Sequence, residues 1–311
     1  MRDIRVFLLH RVSEYREKWA HATPVSVFEK CVRYITSNFT VKTVEECLAM
    51  QGKDMSNHAK PLACINFDDG FKDNIEYALP VLEKYKCPAS FYIVTQCIDD
   101  DLPTWPHQFQ NLFLNTHRMQ LDIGADILSK PIYEKFASER HRIEYGDKLL
   151  KRLMTMPNEN AYKLLNEIRL NFDDVPKPAN MMMNWNEVRQ LSSAGYPIGS
   201  HTCSHPMLTQ LETDEKVKYE LVHSAERIEK ECGIFPDAIA YPLGIADTRI
   251  MNLATECGYK YGLTVDQRFY HPLTDSTMAV PRVDLFADSG WFKTYLRITG
   301  DMEKIKKILG R

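Results

Sequence analysis

Two adjacent acidic residues follow an apolar strand pattern and give the first indication of a catalytic site. Asp68 and Asp69 come directly after residues 62–67, and Gly70 follows them. Side chains at the strand ends of α/β proteins converge while the sheet holds them in place. Two adjacent carboxylates without a basic neighbour repel, so their pKa values separate unless a cation lies between them. The pair therefore predicts one metal ligand and one general acid or base, with a solvated turn and a helix-capping aspartate as the alternative.

Two histidines follow a second strand pattern. His201 and His205, four positions apart, come directly after residues 196–200. One helical turn or a compact loop brings both imidazoles to one point, and two imidazoles with one carboxylate form the three-ligand site that catalytic zinc uses. Two surface histidines are the alternative for this spacing alone, but the acidic pair at another strand end favours the metal site. Such a site polarises a carbonyl and lowers the pKa of a bound water, as hydrolysis of an unreactive amide or ester requires.

The elements that must position these residues alternate along the chain. Strand and helix patterns follow one another, which implies parallel strands covered by helices. About seven such units favour a closed or nearly closed barrel over an open doubly wound sheet. The C-terminal ends of parallel barrel strands share one rim. The strand patterns lie at 5–9, 62–67, 89–94, 196–200, 238–241, 261–265 and 279–284, and the polar residues at their ends are His10, Asp68, Asp69, His201, His205, Tyr241 and Pro242.

Local signals predict several helix boundaries. A Ser, Thr or Asn followed three residues later by Glu forms a capping box, which predicts the start of a helix. Pro80 predicts a kink in the helix expected at about 73–85. The three capping boxes are Ser26 with Glu29, Thr43 with Glu46, and Asn184 with Glu187.

The alternation stops in the middle of the chain. We expect a single domain spanning 1–311 with a helical insertion at about 100–183, longer than an ordinary connection. A lid or substrate-shaping subdomain and a structural excursion without a role in binding are both open. Trp105 near the start of the insertion is a candidate wall for a sugar ring, with packing of a helix as the alternative. Charges are dense and strand patterns absent, and the helical patterns lie near 105–113, 148–154 and 161–170.

Bulk composition excludes several classes of function. The 311 residues are 44% hydrophobic and 26% charged, as in a soluble globular protein. A net charge of -3 provides no basic field for nucleic acid or an anionic membrane. No apolar run is long enough for a membrane span, and the apolar stretch 6–9 is too short for a signal peptide. Eight cysteines without a Cys-x-x-Cys pair are expected to be reduced thiols of a cytoplasmic protein.

Three motifs at the strand ends have a recognisable order and spacing. They are Phe67-Asp68-Asp69-Gly70, His201-Thr202-x-x-His205 and Tyr241-Pro242-x-Gly244, with Phe71-Lys72-Asp73-Asn74 and Pro88-Ala89-Ser90-Phe91-Tyr92 as further segments. Together they resemble the polysaccharide deacetylases of carbohydrate esterase family 4, which share the NodB-type homology domain. The resemblance covers the chain except for the insertion. It implies a distorted (β/α)7 barrel and metal-dependent removal of an acetyl group from an N-acetylated sugar.

The resemblance also implies a role for each matching residue. Asp68 becomes the general base that takes a proton from the attacking water. The backbone N–H of Tyr241 becomes a donor to the oxyanion of the tetrahedral intermediate, and Tyr241 and Pro242 line the substrate site. One divalent metal ion is implied, with zinc as the chemical default and cobalt, nickel, manganese or iron as alternatives. The implied metal ligands are Asp69, His201 and His205.

Two departures from the family pattern concern Arg282 and His10. No arginine begins the motif around Tyr241, where the family commonly has the one that orients the base. Arg282 lies in a Pro-Arg-x-Asp stretch that resembles the family's fourth motif and can supply this cation, with an ordinary salt bridge as the alternative. The late histidine motif that carries the general acid is not evident. His10, in Leu-Leu-His-Arg-Val, resembles the N-terminal Tyr-His-Arg-Val of circularly permuted members and takes that role, with a rim histidine as the alternative.

Most of the remaining histidines have no comparable sequence context. None of them stands in one of the motifs that carry the resemblance. We therefore expect the following to be surface residues: His21, His58, His107, His117, His141 and His223.

These observations predict a cytoplasmic, metal-dependent enzyme that removes an N-acetyl group from an amino sugar. Without an export signal, we expect a small-molecule or lipid-linked saccharide as substrate, as in the biosynthesis of a surface polysaccharide such as an O-antigen or capsule. The motifs do not encode the acyl group, so a deformylase or another amide hydrolase on the same metal site is the first alternative. A non-catalytic saccharide-binding module is the second. The oligomeric state is left open.

Overall fold

The computed structural model describes residues 3–14, 22–50, 59–124, 131–285 and 290–302. The strands in these residues are β1 (Arg5–Leu9), β2 (Val12–Ser13), β3 (Thr23–Pro24), β4 (Thr40–Val41), β5 (Leu62–Phe67), β6 (Ser90–Ile93), β7 (Gln120–Ile123), β8 (Ile132–Lys135), β9 (Ile198–Ser200), β10 (Ala238–Ala240), β11 (Tyr261–Leu263) and β12 (Val283–Asp284). The helices are α1 (Val25–Asn38), α2 (Val44–Ala49), α3 (Leu79–Lys84), α4 (Thr95–Asp100), α5 (Trp105–Asn115), α6 (Glu139–Leu153), α7 (Asn158–Asn171), α8 (Trp185–Ser193), α9 (Asp214–Cys232), α10 (Thr248–Glu256) and α11 (Gly290–Thr299).

Parallel strands in the described residues form a curled sheet whose two edges meet. Strands β11, β10, β9, β6, β5, β1 and β12 are neighbours in this order, and each neighbouring pair is parallel. Val280, shortly before β12, forms a parallel bridge with Leu263 of β11 and brings the edges together. The prediction of a distorted (β/α)7 barrel is confirmed.

The strand that carries the acidic pair is apolar because both of its faces are covered. All of Leu62–Phe67 is buried. Successive side chains of a strand point to opposite faces. Ile65 and Phe67 accordingly pack in the cluster that includes residues of α1 and α3, whereas Leu62 and Cys64 pack with residues of α2 and of other barrel strands. Both faces of this strand are therefore held between apolar layers.

Two of the three predicted capping boxes are confirmed. The boxes of Thr43 and Asn184 form as expected, with reciprocal side-chain and backbone hydrogen bonds. The third prediction is wrong, because α1 begins at Val25, two residues earlier than a Ser26 cap predicts, with Pro24 at its N-cap. Glu29 instead accepts hydrogen bonds from Lys84 Nζ at 2.6 Å and from the Tyr85 hydroxyl at 3.0 Å. The carboxylate thus joins α1 to the end of α3.

The irregularity expected around Pro80 occurs just before α3. A π-helical stretch, Asn74–Ala78, precedes that helix, and Pro80 lies in the first turn of α3. Proline lacks a backbone N–H and cannot donate in a regular helix interior. The helix that follows the acidic pair therefore begins as a π-helix and becomes α-helical at Leu79, where Pro80 occupies the first turn.

The insertion combines helices with a short hairpin. Helices α5, α6 and α7 are present, but β7 and β8 pair as antiparallel strands, so the prediction that strands are absent is wrong. Each strand has only four residues and alternates buried with exposed positions, which dense charges conceal in the sequence. Apolar residues between Trp105 and Val175 form a hydrophobic cluster of their own. The insertion therefore has its own core.

Two bulk expectations concern the thiols and membrane spans. All eight cysteines lie in described residues and are free thiols. Among the helices of the described residues, none is both long and apolar enough to cross a membrane.

Candidate metal and catalytic site

The polar residues predicted at the strand ends come together around one cavity of about 200 Å³ at the C-terminal rim of the barrel. The segments after β1, β5 and β9 bring His10, the two aspartates and the two histidines of the motifs to its wall. The insertion forms another part of the wall. The residues that it contributes are Thr104, Pro106 and His107.

A tight turn follows the strand that carries the acidic pair. The Asp68 N–H donates to the Leu9 carbonyl at 3.0 Å, which continues the strand pairing. Asp69 and Gly70 then have φ values of +74° and +86°, a region that favours glycine. A Cβ at Gly70 would also lie 3.0 Å from Ile98 Cδ1. Asp68 therefore still continues the strand, and the turn begins at Asp69.

A compact loop, which we call the His205 loop (residues 202–207), carries the second histidine. Thr202 and His205 have φ values of +69° and +60°, which non-glycine residues rarely adopt. Thr202 Oγ1 accepts a hydrogen bond from the His205 N–H at 3.0 Å. The backbone N–H of Thr202 donates to Ser200 Oγ at 3.0 Å. These bonds offset the backbone strain. Of the two geometries left open by the sequence, the structure has the loop.

Asp69, His201 and His205 form a group that we call the Asp-His-His cluster. Their ligand atoms all lie within 4.8 Å of one another. Asp69 Oδ1 is 3.5 Å from His201 Nε2 and 3.8 Å from His205 Nε2. Zinc–ligand bonds of about 2.0–2.2 Å in tetrahedral geometry place neighbouring ligand atoms roughly 3.3 Å apart. The spacing of the cluster therefore fits a divalent cation after small movements of the side chains.

Hydrogen bonds around the cluster also fit a cation. His201 Nδ1 lies 2.7 Å from the Ala240 carbonyl, so Nδ1 carries the hydrogen and Nε2 presents a lone pair. Within the described residues, Asp69 Oδ1 and His205 Nδ1 are buried and have no hydrogen-bond partner. A buried polar atom without a partner is costly. A cation between the three side chains would provide the missing partner of the carboxylate oxygen.

Burial changes the protonation of the cluster. It raises the pKa of the Asp69 carboxyl, although His10 and His201 act in the opposite direction. Burial also holds the pKa of His205 well below its ordinary value, and His201 and His107 add to this shift. Metal binding requires a neutral imidazole. His205 is therefore already in the protonation state that a metal ligand needs.

The other carboxylate of the acidic pair has a buried cationic partner. Arg282 Nη1 and Nη2 each donate to one oxygen of Asp68 at 2.7 Å, and Arg282 Nε donates to the Thr264 carbonyl at 3.2 Å. Burial would raise the pKa of Asp68, but Arg282 and His201 outweigh burial and lower the pKa below its ordinary value. Arg282 is therefore the cation that was expected beside the general base, and it favours the ionised form of Asp68.

The loop after β1 brings His10 to the cavity. Asn74 Nδ2 donates to the His10 carbonyl at 2.9 Å. Asp73 accepts from Arg11 Nε at 2.7 Å and from the Val12 N–H at 3.2 Å. Arg11 and Asp73 are both buried. The segment that follows the acidic pair therefore fixes the backbone from the His10 carbonyl to Val12.

The turn after β10 differs from the expectation. The Tyr241 N–H donates to the Leu263 carbonyl at 3.1 Å, so the predicted role of this N–H as an oxyanion donor is wrong in this geometry. The Tyr241 side chain is buried and its hydroxyl donates to the Met278 carbonyl at 3.2 Å. Pro242 is buried in the following turn. Leu243, with φ +58°, lines the cavity instead.

Trp105 lies beside the His205 loop and not on the wall of the catalytic cavity. Its indole N–H donates to the His205 carbonyl at 3.1 Å, and only 4% of the residue is exposed. Trp105 lines a neighbouring cavity of about 270 Å³, together with Gln108 and Tyr162. The prediction of a sugar-stacking wall is corrected accordingly, because the indole is buried and supports the His205 loop.

Further side chains of the insertion contact the same loop. Asn158 is buried, donates from Nδ2 to the Met207 carbonyl at 2.9 Å and accepts from the Met207 N–H at 3.0 Å. The Tyr162 hydroxyl donates to the Ser204 carbonyl at 3.4 Å. The His205 loop therefore lies between the barrel and the insertion, and its backbone is hydrogen-bonded to both.

His107 is the site residue that the sequence analysis missed. Its side chain is only 14% exposed, and its Nδ1 lies 3.7 Å from Asp69 Oδ2, so the prediction of a surface residue is wrong. No local signal marks it, because only the packing of the insertion against the barrel brings it to the site. Among the other histidines predicted at the surface, His117 and His223 are exposed and His141 is half-buried, whereas His21 and His58 lie outside the described residues.

The fold and the site define a class of protein. A closed parallel barrel with a carboxylate, two imidazoles and a separate Asp–Arg pair on its rim has the arrangement of a hydrolase. The chain belongs to the polysaccharide deacetylase family, whose profile matches residues 56–262, more than half of its length. It is therefore a deacetylase, a hydrolytic enzyme. Among curated protein sequences, none matches the chain significantly.

Solved structures of deacetylases share this fold. The Streptococcus pyogenes deacetylase PplD in complex with acetate aligns with a TM-score of 0.63 at 14% identity, over 95% of this chain and 97% of that one. IcaB from Ammonifex degensii aligns with a TM-score of 0.61 at 15% identity, over 95% and 97%. A de-N-acetylase from Aggregatibacter actinomycetemcomitans aligns with a TM-score of 0.57 at 15% identity, over 95% and 100%.

Proposed function

We propose that the protein removes an N-acetyl group from an amino sugar of a saccharide in a reaction that depends on a divalent metal ion. One observation carries this proposal: the Asp-His-His cluster lies beside an Asp68 carboxylate that Arg282 holds ionised. One carboxylate and two imidazoles suit zinc, with cobalt, nickel, manganese and iron as alternatives. When bound, such an ion acts as a Lewis acid that polarises a carbonyl and lowers the pKa of a water.

Asp68 is the general base in this proposal. Because its pKa is lowered despite burial, it is ionised at neutral pH and can accept a proton from the attacking water. Arg282 engages both oxygens of the carboxylate, so it fixes the direction in which the remaining lone pairs point. Arg282 is therefore a positioning residue that acts through Asp68.

Leu243 and His10 supply the other two roles. Leu243 lines the cavity beside the cluster, and we assign to its backbone N–H the oxyanion role that was expected for Tyr241. A preorganised donor of this kind contributes about 3 kcal/mol to transition-state stabilisation. His10 also lines the cavity, and we assign to its imidazole the donation of a proton to the departing amine.

The family supports a saccharide as substrate, since its members are described as polysaccharide deacetylases. The description of one protein of the same fold as a de-N-acetylase supports an N-acetyl group. We extend the proposal to a saccharide of a surface polysaccharide. The cytoplasmic location and the small-molecule or lipid-linked form of the substrate stay predictions.

A product assay with a matched variant tests the proposal. We expect acetate release from at least one N-acetylated amino sugar or oligosaccharide, and loss of both bound metal and turnover in His205→Ala, measured by elemental analysis and acetate detection. His223→Ala, at an exposed position on α9, is the control and should retain both. Full turnover by metal-free His205→Ala would contradict metal dependence. Release of formate alone would favour the deformylase, and saccharide binding without turnover would favour the non-catalytic module.

A further inference from the structure

We propose that His107, which the insertion brings to the cavity, is a positioning residue of the metal centre that holds the Asp69 carboxylate in its ligating orientation. This role rests on the proposed metal dependence, and it gives the insertion a part in the chemistry of the site. His107 is outside the motifs that define the family resemblance, and it lies in the first turn of α5 (Trp105–Asn115).

The two oxygens of Asp69 face different parts of the protein. Oδ1 faces the imidazoles of the barrel, at 3.5 Å from His201 Nε2 and 3.8 Å from His205 Nε2. Oδ2 faces the insertion, at 3.7 Å from His107 Nδ1. The separation between Oδ2 and Nδ1 is within ion-pair distance but longer than a direct hydrogen bond, so the carboxylate and the imidazole attract each other electrostatically, and a small movement of either side chain brings them into hydrogen-bond contact.

Two contacts fix the orientation of the His107 ring. Its Nδ1 lies 2.7 Å from Thr104 Oγ1, and its ring packs edge-to-face on Phe71 with the centroids 4.9 Å apart. Thr104 and Phe71 are both buried. When Nδ1 carries the hydrogen, Thr104 Oγ1 accepts it and the same N–H faces Asp69 Oδ2. With this tautomer, which the proposal assigns to His107, the side chain holds a donor between the Thr104 hydroxyl and the Asp69 carboxylate.

A donor at this position has a physical consequence for metal binding. Oδ1 is the oxygen turned toward the cluster, and the carboxylate can rotate unless Oδ2 also has a partner. Groups that orient metal-ligating carboxylates are usually worth 10- to 100-fold in metal affinity or activity. Fixing Oδ2 from the insertion therefore keeps Oδ1 directed at the two imidazoles.

Zinc affinity of stripped full-length protein tests this role without an activity assay. Zinc is titrated against a chromophoric chelator at fixed neutral pH. In His107→Phe, a ring remains against Phe71 but the N–H is lost, and we expect zinc binding to weaken by about 10- to 100-fold. His107→Asn restores a side-chain N–H and should recover most of the affinity. His117→Phe, at an exposed position of the insertion, is the matched control and should bind zinc like the wild type.

The outcomes distinguish this inference from the proposed function. Equal zinc affinity of His107→Phe and the wild type would overturn the role of His107 while leaving the metal centre intact. Equally weak binding by His107→Asn and His107→Phe would overturn the requirement for a donor. A wild-type protein that binds no divalent ion would contradict the proposed metal dependence itself. Thermal unfolding of the stripped variants checks that each is folded.

Discussion

The barrel and the insertion contribute to the same site in different ways. The barrel supplies charged groups at strand ends and fixes one of them, Asp68, with a buried cation. The insertion mainly supplies neutral groups, and Trp105 and Asn158 bind backbone atoms of the His205 loop. The difference indicates that the barrel provides the charged groups of the site, whereas the insertion holds the His205 loop in place.

The two kinds of contact also differ in expected energy. Removing one partner of a buried ion pair leaves an uncompensated charge and costs about 3–5 kcal/mol. Leaving a buried backbone group without its partner costs about 1–3 kcal/mol. Changes on the barrel side should therefore lower the stability of the protein more than changes on the insertion side, and changes on the insertion side should lower the metal affinity as well.

The largest effect is expected for Arg282→Met, which leaves Asp68 buried without its cation. The free energy of unfolding of the stripped protein should fall by about 3–5 kcal/mol, measured by urea denaturation. The double variant Asp68→Asn with Arg282→Met removes the charge as well, so it should recover much of the stability but no turnover. If Arg282→Met is as stable as the wild type, the pair of Asp68 and Arg282 contributes nothing to stability, and the larger energy expected for the contacts of the barrel is wrong.

The pH dependence of stability sharpens this prediction. In the wild type, burial favours a raised pKa for Asp68, but Arg282 and His201 prevail and the pKa lies below its ordinary value of 3.8. A lowered folded-state pKa contributes stability above the ordinary value, and the contribution is lost as the pH falls through the folded-state pKa. Without Arg282, burial raises the pKa, so the contribution is present at low pH and lost as the pH rises through the raised value.

Urea unfolding midpoints at a series of acidic pH values measure this difference. As the pH is lowered, the wild type should lose the contribution of Asp68 to its stability. Arg282→Met should become more stable relative to the wild type over the same range. The Asp68→Asn, Arg282→Met double variant lacks the titrating group and is the control. Parallel curves for the wild type and Arg282→Met would show that Arg282 does not set the pKa of Asp68.

A smaller effect is expected for Asn158→Ala on the insertion side. The change leaves the buried Met207 N–H without its partner, at a cost of about 1–3 kcal/mol, whereas the Met207 carbonyl still accepts from the Gln210 N–H at 2.9 Å. Met207 lies two positions after His205 in the same loop. Loosening the loop at Met207 should therefore lower the zinc affinity together with the stability. Asn38→Ala, at an exposed position on α1, should change neither. Unchanged zinc affinity in Asn158→Ala would separate the insertion from the metal site.

The smallest effect is expected for Trp105→Phe, which keeps an aromatic ring but removes one hydrogen bond to the His205 carbonyl. One such bond contributes about 0.5–1.5 kcal/mol, so zinc binding should weaken by no more than about tenfold. In Trp185→Phe the lost bond is to Asp99 at an exposed position, and zinc binding should stay as in the wild type. Identical zinc affinities for the two variants would contradict support of the loop by Trp105.

The catalytic groups of the barrel could be predicted because strand ends are local features. Asp68, Asp69, His201 and His205 each follow a short apolar run, and a parallel barrel aligns such positions on one rim. Arg282 could be proposed from its own motif. Its pairing with Asp68, 214 positions away, depends on closure of the barrel at Val280 and follows from no local pattern.

The remaining features depend on turn geometry and tertiary packing. The sequence does not show that Tyr241 completes a strand ladder while Leu243, at φ +58°, faces the cavity. The hairpin of β7 and β8 was missed because its strands are only four residues long. His107 was missed because its contact with Asp69 exists only once two separate cores pack together.

The most direct test of the account is a zinc titration of stripped wild-type protein in which acetate release is recorded at each point. Turnover should be absent in the stripped protein, rise in proportion to added zinc and saturate at one ion per chain, since the structure provides one Asp-His-His cluster in the described residues. Asp69→Ala should show neither tight binding nor turnover. Full turnover before any metal is added, or undiminished turnover in Asp69→Ala, would contradict the account.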